Sequence, residues 1–535
     1  MKKIVLAVMA MGMVLPAAAQ DTYESGRTLG SDLNGTARYV GMGGAMDALG
    51  ADISTMGTNP AGIGLFRHST ISGSFGFVSQ QGANKFDGLS TTNMSFDQLG
   101  FVYAARVSRT SFINFGVNYH KSRNFDQILS AANRLNGASA NGLTYNKAEK
   151  QYATAGGFDL GFYGKSDEVV GYESPTSDYR AFTYSQMDDL NANVLLLDAK
   201  EDNFYYADGE KYTFDRAHRG WIADFDLNIS GNHNDRIYWG LTVGIHSVKY
   251  KGYSEYSEWL TSSSGLSLGA VSYGDERKIN GTGYDIKAGL IFRPVEESPF
   301  RIGLAISTPT WYELTSENST VIVNESEIGR WNNGENNESY KFQYSTPWKF
   351  GVSLGHTVGR SIALGAGYEY SDYGASKNKI IEGYDAYDVA QTSVDQLMKR
   401  NTEQALKGVH TLKAGIEFKP DPAFAIRFGY NYVSAAYNKD GVRDMTINSI
   451  GVMYSSTNDY TNWKDTHRVT CGLGYKYNGW NFDLAYQYSM TKGTFHPFQP
   501  NTTFTFDGAT ISNVPQTTDV ENKRHQVIAT IGYTF

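Results

Sequence analysis

The chain has 535 residues, with 57 glycines, 37 tyrosines, 28 phenylalanines and 8 tryptophans against 12 prolines and one cysteine. Glycine at about one residue in nine, without a collagen-like period, points to an ordered β architecture, and the lone Cys471 excludes an internal disulfide framework and any multi-cysteine zinc or iron–sulfur site. Mean hydropathy is -0.41, and no run of about 18 apolar residues follows the N-terminus, which excludes helical membrane spans and leaves a β-barrel open.

In chain order, Met1-Lys2-Lys3 is a short basic region, Ile4 to Leu15 is apolar, and Ala17 and Ala19 are the small residues a signal peptidase reads. Residues 1–19 are therefore expected to be a cleaved signal peptide. Removing Lys2 and Lys3 leaves 45 basic against 55 acidic residues, a formal charge of -10, which argues against nucleic acid as a partner.

Residues 20–69 show no alternation. They are rich in Gly and Ala, from Gly35 through Gly41, Gly43, Gly44, Ala45, Ala48 and Gly50 to Asn59-Pro60-Ala61-Gly62. The triplet around Gly41 and Gly43 imitates a phosphate loop but lacks the preceding strand and following long helix. A compact plug is expected here, its small residues permitting close packing inside a barrel.

From about residue 70 onward the sequence repeatedly alternates, every second residue of such a stretch being large and apolar, as in Trp480, Phe482, Leu484, Tyr486 and Tyr488 or Phe225, Leu227 and Ile229. This template places strands near 70–78, 97–107, 111–121, 219–231, 235–250, 280–292, 300–316, 337–356, 360–372, 409–419, 423–434, 465–477, 480–492 and 523–535. Fourteen strands alternate with connections that are long, then short. An outer-membrane barrel has that asymmetry, with short periplasmic turns, long extracellular loops and an even strand number. The expectation is an all-β, 14-stranded antiparallel transmembrane barrel (70–535) with a small N-terminal plug or hatch (20–69) and long extracellular loops carrying short helices. The outward row would face lipid. Arg106, Asp224, Asp226, Asp285, Lys287, Arg301, Lys349, Glu369, Lys413, Glu417, Arg427, Arg468 and Asp483 fall on the inward row, because a Lys or Arg facing the lipid midplane costs about 2–4 kcal/mol.

The loops hold three stretches with helical spacing. Phe125, Ile128, Leu129, Ala132 and Leu135 are expected to form a helix closed by Gly137; Met187, Leu190, Val194 and Leu197 a second; and Leu397, Met398, Ala405 and Leu406 a third, opened by a capping box at Ser393. Their apolar faces suit either mutual packing over the barrel mouth or a hydrophobic capture site formed by Phe125, Ile128, Leu129, Leu135, Met187, Leu190, Val194 and Leu197.

The signal peptide, the Gly/Ala-rich segment, Asn59-Pro60-Ala61 before the first strand, and fourteen strands ending on Phe535 resemble the FadL/TodX outer-membrane transporters of long-chain fatty acids and other hydrophobic compounds. The resemblance implies passive uptake without a cofactor, by extracellular capture, hatch movement and lateral release through the barrel wall. It implies Asn59, Pro60 and Ala61 as the hatch element and Gly116 of the third strand as the site of a wall distortion. The partners it implies are a hydrophobic small-molecule ligand, outer-membrane lipid and, during biogenesis, the barrel assembly machinery.

Two Gly-x-Ser-x-Gly matches, at 265–269 and 351–355, lack the strand–turn–helix of a hydrolase, and Asp224-x-Asp226-x-Asn228 has the strand period and no calcium-loop glycine. No catalytic residue and no metal site is expected. A general porin and an adhesin-like barrel remain alternatives.

Overall fold

The computed structural model describes residues 20–155, 184–196, 205–385, 390–504 and 510–535. Residues 1–19, expected to be a signal peptide, and Leu197 lie outside these residues.

Fourteen antiparallel strands close on themselves. They are β1 Thr70–Gln81, β2 Thr92–Arg106, β3 Phe112–Asn124, β4 Asp208–His233, β5 Ile237–Thr261 and β6 Ser267–Phe292. There follow β7 in two stretches, Arg301–Ser307 and Trp311–Asn324, and β8 likewise, Asn333–Ser345 and Lys349–Val358. The circuit continues with β9 Ile362–Asp372, β10 Gly408–Asp421, β11 Phe424–Val433, β12 Tyr460–Tyr477, β13 Trp480–His496 and β14 Thr518–Thr534. The seam is β1 against β14, paired from Thr70↔Thr534 to Gln81↔Lys523. All fourteen expected strands are present, most of them longer than expected at the end that carries the long loops.

Alternation explains the wall. Phe225, Leu227, Ile229, Phe482, Leu484 and Tyr486 are among the exposed large apolar side chains, while the intervening Asp224, Asp226, Asn228 and Ser230 are buried. Short turns are built from residues that tolerate left-handed backbone: Asn478 and Gly479 have φ 46 and 83 between the last ladder pair Tyr477↔Trp480, a two-residue hairpin loop. Pro309 and Pro347 cannot donate to the ladder and break β7 and β8 at one height. There the Thr346 N–H donates to the Thr310 carbonyl (3.1 Å) and the Thr310 N–H to the Thr346 hydroxyl (2.8 Å).

On three hairpins an exposed tyrosine hydroxyl meets a histidine Nδ1 on the neighbouring strand: Tyr368 with His410 (2.8 Å), Tyr430 with His467 (2.7 Å) and Tyr486 with His525 (2.7 Å). These aromatic groups with polar tips form part of a girdle of the kind barrels place at the lipid boundary. Above it β4, β5 and β6, of 26, 25 and 26 residues, rise beyond the apolar band and carry a cap of helices: α3 Ala140–Ala155, α4 Gln186–Asn191, α5 Gln396–Ala405 and α6 Ile450–Met453.

The first expected loop helix is a strand. Residues Gln127–Arg134 continue β3 after a break at Phe125 and Asp126 and pair with β4 from Gln127↔His218 to Arg134↔Lys211, because the long inner edge of β4 offers a ladder that a lone helix would leave unpaired. Leu129 and Leu135 pack with Leu143, Tyr212, Phe214, Phe495 and Phe498; Ile128 packs with Leu89 and Ala217. The second helix exists as α4, prolonged by a wider turn over Ala192–Leu196. Its Met187, Leu190 and Val194 are buried against Leu260, Val271, Tyr273 and Ile322. The third is α5, but its N-cap is Asp395, whose carboxylate accepts from the Met398 N–H, rather than Ser393. Gly408, just beyond it, opens β10.

Candidate functional site: plug, wall break and lumen cavity

Residues 20–66 fold as four short helical turns inside the ring, each started by a side-chain cap. Asp21 caps α1 (Thr22–Gly26), Thr36 caps α2 (Ala37–Gly41), Asp52 caps Ile53–Gly57 and Asn59 caps Pro60–Leu65. Capping matters because turns this short satisfy few of their own amides.

The Asn59-Pro60-Ala61 element is fully buried against β5, β6 and β7. The Asn59 Oδ1 accepts from the Ala61 N–H at 3.2 Å, and Pro60 occupies a first-turn position where a missing N–H is harmless. A Cβ added to Gly289 would stand 2.1 Å from Asn59 Oδ1, and one on Gly240 would stand 2.4 Å from the Pro60 carbonyl carbon. Nearby, Asn114 Nδ2 donates to the carbonyls of Ile63 (2.6 Å) and Phe66 (3.1 Å). Around the ring the same device recurs: a Cβ on Gly365 would meet the Ala45 carbonyl at 1.9 Å, and one on Gly429 the Gly43 nitrogen at 2.2 Å. Wall glycines and plug glycines thus bring backbone onto backbone.

Buried ions complete the seat. Glu417 receives Arg427 (2.7 Å) and Arg38 of α2 (3.1 Å), Arg427 also reaches Asp483 (2.6 Å), and Lys413 reaches Asp47 (3.1 Å). On the other side α1 stands beneath the cap. Glu24 receives Arg27 (2.7 Å) and Arg277 (2.8 Å), and Asp21 receives Arg443 (2.7 Å). Burial alone would raise the Glu24 carboxyl, but Arg27, Arg277 and Arg443 hold it well below the usual carboxylate range.

Gly116 is not a distortion. It lies in regular ladders, opposite Val102 on β2 and Asn228 on β4, and a Cβ there would meet the Met56 methyl at 2.2 Å, so the missing side chain makes room for the plug. The irregularity in β3 falls higher, between Lys121 and Arg123. Backbone pairing of β2 with β3 ends at Gln98↔His120, although β2 starts at Thr92 and β3 runs to Asn124. Asp97 is the extra residue of a bulge between the pairs Ser74↔Gln98 and Phe75↔Phe96. In a membrane wall such unpaired backbone needs other partners, and plug residues 29–34 supply them. The Asp32 N–H donates to the Ser122 carbonyl (2.7 Å), and the Asn124 N–H donates to Asp32 Oδ2 (2.8 Å). Asn34 Nδ2 bridges the two strands, donating to the Lys121 carbonyl (3.0 Å) and to Asp97 Oδ1 (3.1 Å).

Between plug and cap lies a cavity of about 380 Å³. Its lining mixes aromatic and aliphatic side chains, among them Leu29, Phe125, Tyr312, Tyr373, Tyr437 and Trp463, with charged ones, among them Asp32, Arg123, Lys349, Arg468 and Arg524. Its floor holds His246 between Asp224 (2.7 Å) and Asp285 (3.1 Å), with Lys287 on Asp226 (3.0 Å) and Asp285 (3.1 Å). Among the described residues no three His, Cys, Asp or Glu side chains converge as a metal site would require.

Of the residues singled out from sequence, Phe125 and Leu129 line this cavity, Met187 lines a smaller one, and Asn59, Pro60 and Ala61 lie against the β5–β7 wall. Most of the inward-row charges are buried, whereas Arg106 is exposed near the β2–β3 turn and donates to the Ser108 carbonyl. Asp32, Asn34 and Arg123 carried no sequence signal. Arg524 did, since it continues the inward parity of β14.

A closed fourteen-stranded sheet with an apolar exterior, filled by an N-terminal plug, defines an outer-membrane β-barrel of the plugged kind. The chain is similar over nearly its whole length to solved structures of FadL/TodX type. The toluene transporter TbuX of Ralstonia pickettii aligns at 12% identity, covering 94% of this chain and 99% of that one, with a TM-score of 0.47. A Pseudomonas aeruginosa FadL homologue aligns at 10% identity over 97% and 99%, TM-score 0.46, and the Pseudomonas putida toluene transporter TodX at 10% over 95% and 99%, TM-score 0.44. No family model and no curated protein matches the sequence.

Proposed function

We propose that the protein takes up hydrophobic or amphipathic small molecules, long-chain fatty acids foremost, passively across the outer membrane. A ligand caught under the cap enters the lumen cavity, the plug shifts, and the ligand leaves sideways into the bilayer beside β3. The observation that carries this reading is the wall between β2 and β3 above Gln98 and His120, where strand-to-strand backbone pairing gives way to contacts with the plug. A closure made by a separate segment can open without breaking the barrel. The cavity agrees, its aromatic and aliphatic lining suited to an alkyl or aryl body and its charged groups to a polar end. An open porin fits less well, because residues 20–66 occupy the lumen.

The test is oleate uptake by cells dependent on this protein, comparing wild type with Asn59→Ala. Uptake is expected to fall several-fold at unchanged outer-membrane abundance, since the variant loses the cap of the Pro60–Leu65 turn, a change of about 1 kcal/mol or more. Wild-type uptake by the variant would remove the Asn59 element from the mechanism. Absence of oleate uptake by wild type, with sugar permeation instead, would favour a porin.

A further inference from the structure

Three arginines meet in the cavity where the plug touches the broken edge of β3, and they share one carboxylate. Arg524 Nη1 is 3.9 Å and Arg468 Nη2 4.0 Å from the carboxylate oxygens of Asp32. Arg123 is the third: it donates to the Leu29 carbonyl (3.0 Å) and, among the described residues, has no carboxylate within 4.0 Å. Burial alone would raise Asp32, yet Arg524, Arg123 and Arg468 hold its carboxyl below the ordinary value.

The separations decide the reading. A charge-assisted hydrogen bond from arginine to carboxylate is about 2.7–2.9 Å long and often bidentate. At about 4 Å, Asp32 neutralises Arg468 and Arg524 without hydrogen-bonding them, and its Oδ2 is given instead to the Asn124 N–H (2.8 Å). Arg468 is steadied from behind by Asn431 Oδ1 (2.7 Å) and Arg524 by a long contact to the Asn124 carbonyl (3.5 Å). Two rigid forks therefore stand just out of bonding distance of one anion, with Arg123 farther off beside them, a site with cation to spare.

The same carboxylate closes the wall, for Asp32 holds both Ser122 and Asn124 of the free β3 edge. We propose that Asp32 is a resident stand-in for the ligand's anionic group. An amphipathic ligand with an anionic head, arriving in the cavity, takes Arg123, Arg468 and Arg524 at hydrogen-bonding distance. Asp32 then loses its counter-charges, lets go of Asn124, and plug residues 29–34 release the β3 edge beside which the ligand's apolar part would leave. The head group is read by the arginines and the opening is its consequence. This rests on the uptake reading above and adds the ligand's charge and the trigger.

The test uses the full chain in lipid nanodiscs with two probes of equal chain length, decanoate and decanol. Wild type is expected to bind decanoate about tenfold or more tighter than decanol, the range of hydrogen bonds to charged groups. Decanoate, but not decanol, is expected to speed hydrogen exchange at the Asp32 and Asn124 amides. Arg468→Gln with Arg524→Gln should cut the preference for decanoate over decanol severalfold. Asp32→Asn keeps an acceptor for the Asn124 N–H but removes the competing charge, so decanoate affinity should rise several-fold. Equal binding of the two probes by wild type, or weaker decanoate binding by Asp32→Asn in a barrel that keeps its heat-modifiable mobility, overturns the latch while the uptake reading stands. Failure of wild type to bind either probe overturns both.

Discussion

The two halves of the plug are held in different ways. Residues 36–66 meet the wall backbone to backbone through Gly240, Gly365 and Gly429 and are tied by the buried Arg38–Glu417–Arg427 chain. Residues 29–34 meet it through a handful of hydrogen bonds to a strand edge and through arginines that stand off at about 4 Å. Dispersion contacts at closest approach are lost all at once when a surface separates, whereas individual hydrogen bonds exchange at a net cost of about 1 kcal/mol each. One plug thus has a tightly moulded part and a more lightly held part, the latter over the wall break.

The comparison would be broken most severely at the fixed half. Gly429→Val places a side chain where even a Cβ comes within 2.2 Å of the Gly43 backbone; the plug should be unseated, seen as a steep loss of folded barrel or, in what folds, as high permeability of liposomes to small polar solutes. Glu417→Gln leaves Arg38 and Arg427 short of a buried counter-charge and should cost about 3–5 kcal/mol, the range for breaking a buried pair, measured as a lower urea midpoint with the barrel still closed.

A milder change sharpens the contrast with the cap. Glu258, buried above the membrane band, accepts from the Tyr256 hydroxyl (2.7 Å), the Ala140 N–H (3.1 Å) and Asn141 Nδ2 (3.1 Å) at the start of α3. Burial pushes its carboxyl up to about 7 against these bonds. The folded cap thus keeps a proton that the unfolded chain would release; the contribution is full below about pH 4 and is lost as pH rises through about 7. Protection factors of the α3 amides, exchange rates corrected for their intrinsic rise with pH, should fall between about pH 6 and pH 8 in wild type and stay level in Glu258→Gln, while plug residues 36–66 show no such step. The smallest effect is expected for Gly116→Ala. Its Cβ would press only on the end of the flexible Met56 side chain, so uptake and stability should stay near wild type, and a large loss would return Gly116 to the gate.

The barrel was legible because its physics is repetitive: lipid outside and water or plug inside impose a period of two on every strand, and short turns on one side leave an even count. The plug was legible as composition, although half of its explanation lay in the wall, since glycines such as Gly289 and Gly429 look like ordinary strand residues until the plug is seen against them. The segment 125–135 misled because a break at Phe125 and Asp126 slips the phase of alternation, and the resulting spacing mimics a helical face. The bulge at Asp97 does the same to β2, turning Asp97 and Gln98 both inward. The contact of the plug with the β2–β3 break was hidden for a different reason. Asp32, Asn34 and Arg123 act through partners as much as 492 positions away along the chain, as Asn34 with Gln526, and nothing local to them differs from a polar loop.

The moulding of wall to plug also dictates an order of construction. A ring whose inner backbone lies against Ala45, Gly43 and Pro60 on three sides leaves no clearance for a folded segment to be threaded in afterwards through either mouth. A segment already folded would have to be inside before β1 meets β14, and one that enters later can only fold in place against the wall. The girth at which the seam meets is set by strand number and stagger, and the N-terminal segment is moulded to what they enclose.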